Sequence, residues 1–151
     1  LALEIEILAG GRAKSAPEHQ MALAYLTRAR DTARALGFSS FALSEADERK
    51  PEKIVEACAQ APLLIALDEH GKSLSSDAFA KQLATWRDAG KARALFVIGG
   101  PDGLPAAVKS RARLTLAYGT QTWPHLLVRT MVAEQLFRAM TILSGHPYHR
   151  V

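Results

Sequence analysis

A helix that is apolar on every side must be buried on every side, and this chain ends on one. Wound at about 3.6 residues per turn, the segment from Pro124 spreads Leu126, Leu127, Val128, Met131, Val132, Leu136, Phe137, Met140, Ile142 and Leu143 over more than one face. A sheet covers only one of those faces. The remainder packs against a second subunit or against a large monomer core. Arg129 shares a stripe with Val132, Ala133, Leu136 and Met140. An arginine there either snorkels at the helix start or meets an acidic or phosphate partner. Glu134 and Arg138, at helical i,i+4 spacing, are expected to form a surface ion pair. Ser144-Gly145 stops the helix and delivers His146, Pro147, Tyr148, His149 and Arg150. Chain ends usually fray and carry nothing of value. Here hydrogen-bonding and proton-transfer side chains follow a buried helix, which points to a site completed by the tail.

Upstream, strands alternate with helices. Leu3, Ile5 and Ile7 alternate with Glu4 and Glu6 as a first strand, broken by Gly10-Gly11. Pro17 opens a helix to about Leu36, closed by Gly37, with a predicted apolar stripe of Met21, Tyr25, Ala29, Ala33 and Leu36 widened by Ala22 and Leu26. Phe38–Leu43 reads as a second strand, and Pro51 starts a short helix to about Gln60. The apolar run from Pro62 to Leu67, with Asp68 at its end, has the character of a central parallel strand. Ser76 and Asp77 start a helix that buries Phe79, Leu83 and Trp86. Ala94–Ile98 is a further buried strand, Pro105–Ala112 a short helix, and Leu114–Tyr118 a fifth strand before the loop Gly119–Pro124. This alternation predicts an α/β fold with a mostly parallel sheet flanked by helices.

At 151 residues the chain suits one domain, 1–151, with a sizeable core. No stretch approaches the ~20 apolar residues of a membrane span; Arg129, Glu134 and Arg138 interrupt the longest. Leu1 to Leu8, carrying Glu4 and Glu6, is too short and too acidic for a signal peptide. Cys58 is the only cysteine, which rules out an internal disulfide and predicts a cytoplasmic setting. The formal charge of +4 is compatible with a phosphate-bearing partner without requiring one.

Few motifs carry chemistry by themselves. The turn Gly99-Gly100-Pro101-Asp102-Gly103 follows a buried strand. It is either a tight strand-to-helix connection or a place where bare backbone approaches a ligand. It is neither GxGxxG nor a P-loop. Leu67 and Asp68 stand at the carboxyl end of a central strand, the edge where open α/β sheets bind ligands; Glu69 and His70 read as a solvated loop. His125, His146 and His149 make no metal-ligand pattern, so no metal is expected. There is no GxSxG, and Cys58 has no local signature of a nucleophile.

Three blocks together carry a resemblance. FVIGGPDG at Phe96–Gly103, TWPHLLVRTMVAEQLFRA at Thr122–Ala139 and the ending HPYHR resemble the bacterial large-subunit rRNA pseudouridine-N3 methyltransferases of the SPOUT superfamily. Ile5–Arg12 is similar to that family's opening strand and turn, and the likeness extends over essentially the whole chain. Gly10 and Pro101 depart from the family pattern, both at turns. The resemblance implies a SPOUT-type α/β fold with a C-terminal trefoil knot, a homodimer, S-adenosylmethionine as methyl donor, and 23S rRNA within the ribosome as partner. It implies donor contacts at Leu67, at Gly99 and along Tyr118, Gly119, Thr120, Gln121, Thr122 and Trp123. The reaction moves a methyl group to a ring nitrogen that must first lose a proton, a step helped by a base or by a cation beside the developing anion. Arg129, Tyr148, His149 and Arg150 are the residue types available. Tyr148 or His149 suits proton handling, and Arg129 with Arg150 suits a phosphate or carbonyl. Arg12, Lys14, Lys109, Arg111 and Arg113 are candidate RNA phosphate contacts. A non-catalytic RNA- or ribosome-binding factor of the same fold is the main alternative. A small dinucleotide domain is a weaker one, because GxGxxG is absent.

Overall fold

The computed structural model describes residues 2–150. Five strands form one sheet: β1 (Leu3–Gly10), β2 (Phe38–Ala46), β3 (Leu63–Lys72), β4 (Arg93–Ile98) and β5 (Leu114–Leu116). They lie in the order β2-β1-β4-β3-β5, and every pairing is parallel. Parallel neighbours require crossovers, which the helices supply. These are α1 (Pro17–Ala33, extended by a 3-10 turn Arg34–Leu36), α2 (Pro51–Ala59), α3 (Ser76–Asp88), α4 (Ala106–Arg111) and α5 (His125–Ser144).

The period-2 alternation of strand side chains divides the interior into two cores. Leu3, Ile5, Ile7, Ile65, Phe96 and Ile98 point to the face covered by α1, α3 and α5. Leu8, Leu64, Ala66, Leu95 and Val97 point to the opposite face, where Ile54 and Cys58 of α2 and Val108 of α4 meet them. The central strands are thus buried on both sides, as their continuous apolar runs require.

Several expectations shift by a residue or more. The buried stripe of α1 is Ala22, Leu26, Ala29 and Ala33, while Met21 is 51% exposed. The small side chains permit close contact with α5, while Tyr25 is half-buried at the edge of that contact, its ring 6.0 Å from that of Phe137. β2 continues to Ala46 because its ladder with β1 holds polar residues in line, and β3 continues past a bulge at Asp68–Gly71 to Lys72, which pairs with Leu116 of β5 again. Glu134 and Arg138 do pair, at 2.7 Å, but their side chains are only 17% and 24% exposed. The tail folds back over them and takes the pair out of the surface.

α5 answers the problem posed by its composition in two ways. α1 and α3 of the same chain flank it, and Thr130 fastens it to α1 by donating to the Glu18 carbonyl at 2.7 Å. Val132, Ala133, Leu136, Ala139 and Met140 are buried, whereas Leu126, Leu127, Val128 and Met131 stay half-buried. The helix ends where Gly145 adopts a left-handed φ of 76°, so that the Gly145 and His146 N–H groups cap the Ile142 and Thr141 carbonyls. Among the described residues no helix is long and apolar enough to cross a membrane.

Candidate active site

A cleft of about 520 Å³ opens at the carboxyl ends of β4, β3 and β5, in the size range of sites that enclose a small molecule. Its floor is the strand ends themselves, Leu67, Ile98 and Leu116. Its walls are three segments: Asp68–His70 in the bulge of β3 beyond Leu67, Gly99–Leu104 after β4, and the stretch after β5 through Tyr118, Gln121, Thr122 and Trp123 to His125 and Val128 at the start of α5. Of the eight expected donor contacts, Leu67, Gly99, Tyr118, Gln121, Thr122 and Trp123 line this cleft; Gly119 and Thr120 do not.

The glycine turn is tight for reasons internal to the chain. Gly103 N–H donates to Gly100 O at 2.9 Å. A Cβ on Gly99 would come within 2.5 Å of the Gly103 carbonyl carbon, and one on Gly10 within 2.9 Å of the Gly100 nitrogen. Both possibilities left open for this turn therefore meet here: it is a close chain-on-chain connection, and it lines the cleft. Gly10, which departs from the family pattern, is the residue that lets β1 abut it.

The opposite wall is pinned by side chains. Asp68 accepts the His70 N–H at 3.1 Å and faces Lys109 Nζ at 3.9 Å. The Thr122 hydroxyl donates to Glu69. Gly119 N–H donates to Ser73 Oγ at 3.0 Å, and Trp123 Nε1–H to the Tyr118 carbonyl at 2.8 Å. The Tyr118 hydroxyl is buried without a hydrogen-bond partner. Burial, helped by the Glu134 charge, pushes its pKa well above the usual range. Its ring also borders a second hollow between α1 and α5, lined by Met21, Tyr25, Met131, Glu134 and Gln135. Glu69 and Lys109 were not expected at this site. The only signal for Glu69 was its place two residues past Leu67, where the apolar run of β3 ends.

Arg129 is not at the cleft. It is 0% exposed and grips three segments. Nη1 bonds Glu45 Oε2 at 2.6 Å and lies 3.2 Å from His19 Nδ1; Nη2 donates to the Gly11 carbonyl at 2.9 Å and the Gly10 carbonyl at 3.4 Å. The same Glu45 oxygen accepts the Ala13 N–H at 2.8 Å. Burial pushes the Glu45 pKa up. The Arg129 hydrogen bond, the Ala13 N–H and the Arg129 and His19 charges outweigh that and hold it below the usual carboxylate value. Of the two fates open to this arginine, the acidic partner prevails, and it is internal. The β1 end that Arg129 fixes is the one that abuts the glycine turn.

The tail likewise stands apart from the cleft of its own chain. Tyr148 donates to Glu134 Oε2 at 2.7 Å and packs edge-on against Phe137, ring centroids 4.7 Å apart. Arg28 covers the Phe137 ring at 4.2 Å, and Arg138 the Tyr148 ring at 4.9 Å. Burial, then the hydrogen bond to Glu134, pushes the Tyr148 pKa up to about 12. His149 Nδ1 lies 3.0 Å from Arg138 Nη1, and its Nε2 is 3.5 Å from Asp77. A guanidinium can only donate, so Nδ1 is the acceptor in this contact, while Nε2 is buried without a hydrogen-bond partner. Arg150 is exposed. Glu134 is thus the anchor of the tail, a role its spacing to Arg138 alone did not reveal.

Among the candidate RNA contacts, Arg111 is occupied: it donates to the carbonyls of Cys58, Ala59 and Ala61 at the end of α2. Arg12, Lys14 and Arg113 are exposed. Among the described residues no three His, Cys, Asp or Glu side chains gather to hold a metal ion.

A family model described as "Predicted SPOUT methyltransferase" matches residues 3–149. A protein of Nitrobacter winogradskyi named "Ribosomal RNA large subunit methyltransferase H" is 45% identical over 98% of this chain and 99% of its own length. One of the same name from Cereibacter sphaeroides is 46% identical over 99% of this chain and all of its own length. Among solved structures, a probable methylase family protein from Haemophilus influenzae superposes with a TM-score of 0.53 at 13% identity, covering 99% of this chain and 70% of that one. A probable methyltransferase from Bordetella pertussis gives 0.51 at 14% identity, covering 92% and 96%. The structural likenesses speak for the fold and the sequence matches for the lineage: the chain belongs to the SPOUT methyltransferase family.

Proposed function

We propose that the protein transfers a methyl group from S-adenosylmethionine to N3 of a pseudouridine in 23S rRNA, acting in the cytoplasm as a homodimer on the assembled large subunit. The observation that carries this reading is the cleft at the ends of β4, β3 and β5, bounded by the three segments at which the family resemblance implies donor contacts. An apolar floor of Leu67, Ile98 and Leu116 suits a purine-bearing ligand. Backbone lining the cleft at Gly99 and Gly100 and at Gln121–Trp123 supplies the hydrogen bonds that fix its orientation. When bound, S-adenosylmethionine supplies a methyl group on a sulfonium sulfur, which keeps the C–S electron pair as the ring nitrogen takes the methyl. The relatives named as large-subunit rRNA methyltransferases support the substrate.

The residues divide into two roles in this reading. Arg129 acts from behind, holding Gly10 and Gly11 so that β1 presses on the glycine turn. Tyr148, His149 and Arg150 serve the cleft of a second protomer, since they do not line their own. Tyr148, neutral at physiological pH and with its pKa pushed up to about 12, is a hydrogen-bond donor rather than a base. His149 takes up the N3 proton once its Nδ1 is released from Arg138. The half-buried Leu127 and Met131 beside exposed Met21 favour α5 and α1 as the dimer surface. The trefoil knot belongs to the same reading. α5 follows the edge strand β5 yet packs against α1 and α3 on the interior face, a course that favours threading.

The test is calorimetric titration with S-adenosylmethionine, followed by transfer of labelled methyl to ribosomes lacking the modification. Binding with methylation confined to the large subunit is the expected result. No binding at a large excess of donor overturns the reading.

A further inference from the structure

β3 leaves the sheet at the cleft and then returns. Leu67 and Lys72 both partner Leu116 of β5, so Asp68–Gly71 form an excursion from the strand. Its base is rigid. Gly71 lies so close to β5 that a Cβ there would sit 2.7 Å from the Thr115 carbonyl oxygen. Its turn is closed by Asp68, which accepts the His70 N–H. The excursion therefore presents Glu69 at a fixed height on the rim. Glu69 accepts the hydroxyl hydrogen of Thr122, which belongs to the opposite wall. Two further ties hold β3's continuation to that wall: the Gly119 N–H to Ser73 Oγ, and, at the base of the wall, the Ala117 N–H to the Lys72 carbonyl at 3.0 Å; neither reaches the rim where Thr122 and Trp123 stand. Beside Thr122 stands Trp123, 37% exposed, its indole N–H held only within its own loop by the Tyr118 carbonyl.

We propose that Glu69 is a positioning residue: its bond to Thr122 clasps the two walls together and sets Trp123 against the donor. The inference rests on the cleft being the donor site and names a residue that governs how well the donor is held. Both partners of the clasp are exposed. Such a bond is modest in strength, so it orders the wall while still releasing for entry and exit. A carboxylate is not essential to it. Any acceptor oxygen at that reach serves, so Glu69→Gln should keep the clasp and Glu69→Ala should lose it.

Calorimetry with S-adenosylmethionine on the full chain, paired with tryptophan emission of the ligand-free protein, tests the clasp. Glu69→Ala and Thr122→Val should each raise the donor Kd by about 3- to 10-fold, the worth of one net hydrogen bond. The double variant should be no weaker than the weaker single one, and Glu69→Gln should recover most of the affinity. In turnover the loss should fall on KM for the donor more than on kcat. Both single variants should shift the ligand-free emission in the same direction, since Trp86 is buried in the core and Trp123 is the responsive indole. Unchanged Kd in Glu69→Ala, or a double variant whose loss is the product of the singles, overturns the clasp. If the unaltered protein binds no donor, the reading of the cleft fails instead. The clasp is then decided by emission alone: no shift overturns it.

Discussion

Arg129→Met separates an internal clamp from a substrate contact. The substitution keeps an apolar stem of similar length and removes the guanidinium. It deletes the 2.6 Å bond to Glu45 and the bonds to the Gly11 and Gly10 carbonyls. Breaking a buried ion pair by removing one partner costs about 3–5 kcal/mol. The lower end applies here, because the Glu45 side chain is 29% exposed and keeps the Ala13 N–H. The two carbonyls are less fortunate, since Gly10 and Gly11 are buried. A loss of about 3 kcal/mol lowers the melting temperature of a domain this size by roughly 6–12 °C. The assay is urea and thermal unfolding at fixed protein concentration, since dimerisation would make the midpoint concentration-dependent. Acid dependence supplies a second reading. Glu45 has a folded pKa below its unfolded value, so its contribution is present above the unfolded value and is lost as pH falls through the folded one. Arg129→Met removes much of that depression, so the gap between variant and parent should narrow in acid. A variant of parental stability that has lost activity would refute the clamp and return Arg129 to the substrate.

Gly99→Ala should leave the core folded yet weaken donor binding at least about tenfold, because the new Cβ meets backbone at 2.5 Å and the turn must open; calorimetry beside circular dichroism checks this, and parental affinity would refute it. Tyr148→Phe should cost about 1 kcal/mol from the lost bond to Glu134. In the parent, the raised Tyr148 pKa makes its contribution complete below the ordinary value of 10 and lost as pH rises toward about 12. Tyr148→Phe should therefore flatten that alkaline fall in an unfolding series. Cys58 is buried, and desolvation raises its thiol pKa. A disulfide exchange reagent at mildly alkaline pH should label it at the unfolding rate, and fast labelling of folded protein would contradict this.

Period and punctuation made the elements legible. Pro17 and Pro51 open helices, Gly37 and Gly145 close their ends, and the runs at Leu63–Leu67 and Ala94–Ile98 are strands buried on both sides. Such signals are local, so one segment's residues suffice to read them. The glycine turn and the strand end at Leu67 were legible for the same reason, since a parallel strand always offers its carboxyl end. What a side chain meets across the fold is not local. Helical spacing put Met21 in the stripe of α1 with Tyr25 and the alanines, but packing against α5 buried the alanines, kept Tyr25 at the edge and left Met21 exposed. Spacing put Arg129 among apolar residues; only the return of β1 and β2 beside α5 brought it Glu45 and the Gly10 and Gly11 carbonyls, partners more than eighty positions away. Likewise Tyr148 met Glu134, and Glu69 met Thr122, only because the chain closed on itself. The sequence alone determined which segments are strands and helices and that they form a parallel α/β sheet, because those follow from near-neighbour sterics and hydrophobic period. The tertiary structure decided which polar side chains are partners and which remain available to a ligand, because hydrogen bonds and ion pairs act over a few ångströms and only packing brings distant residues that close.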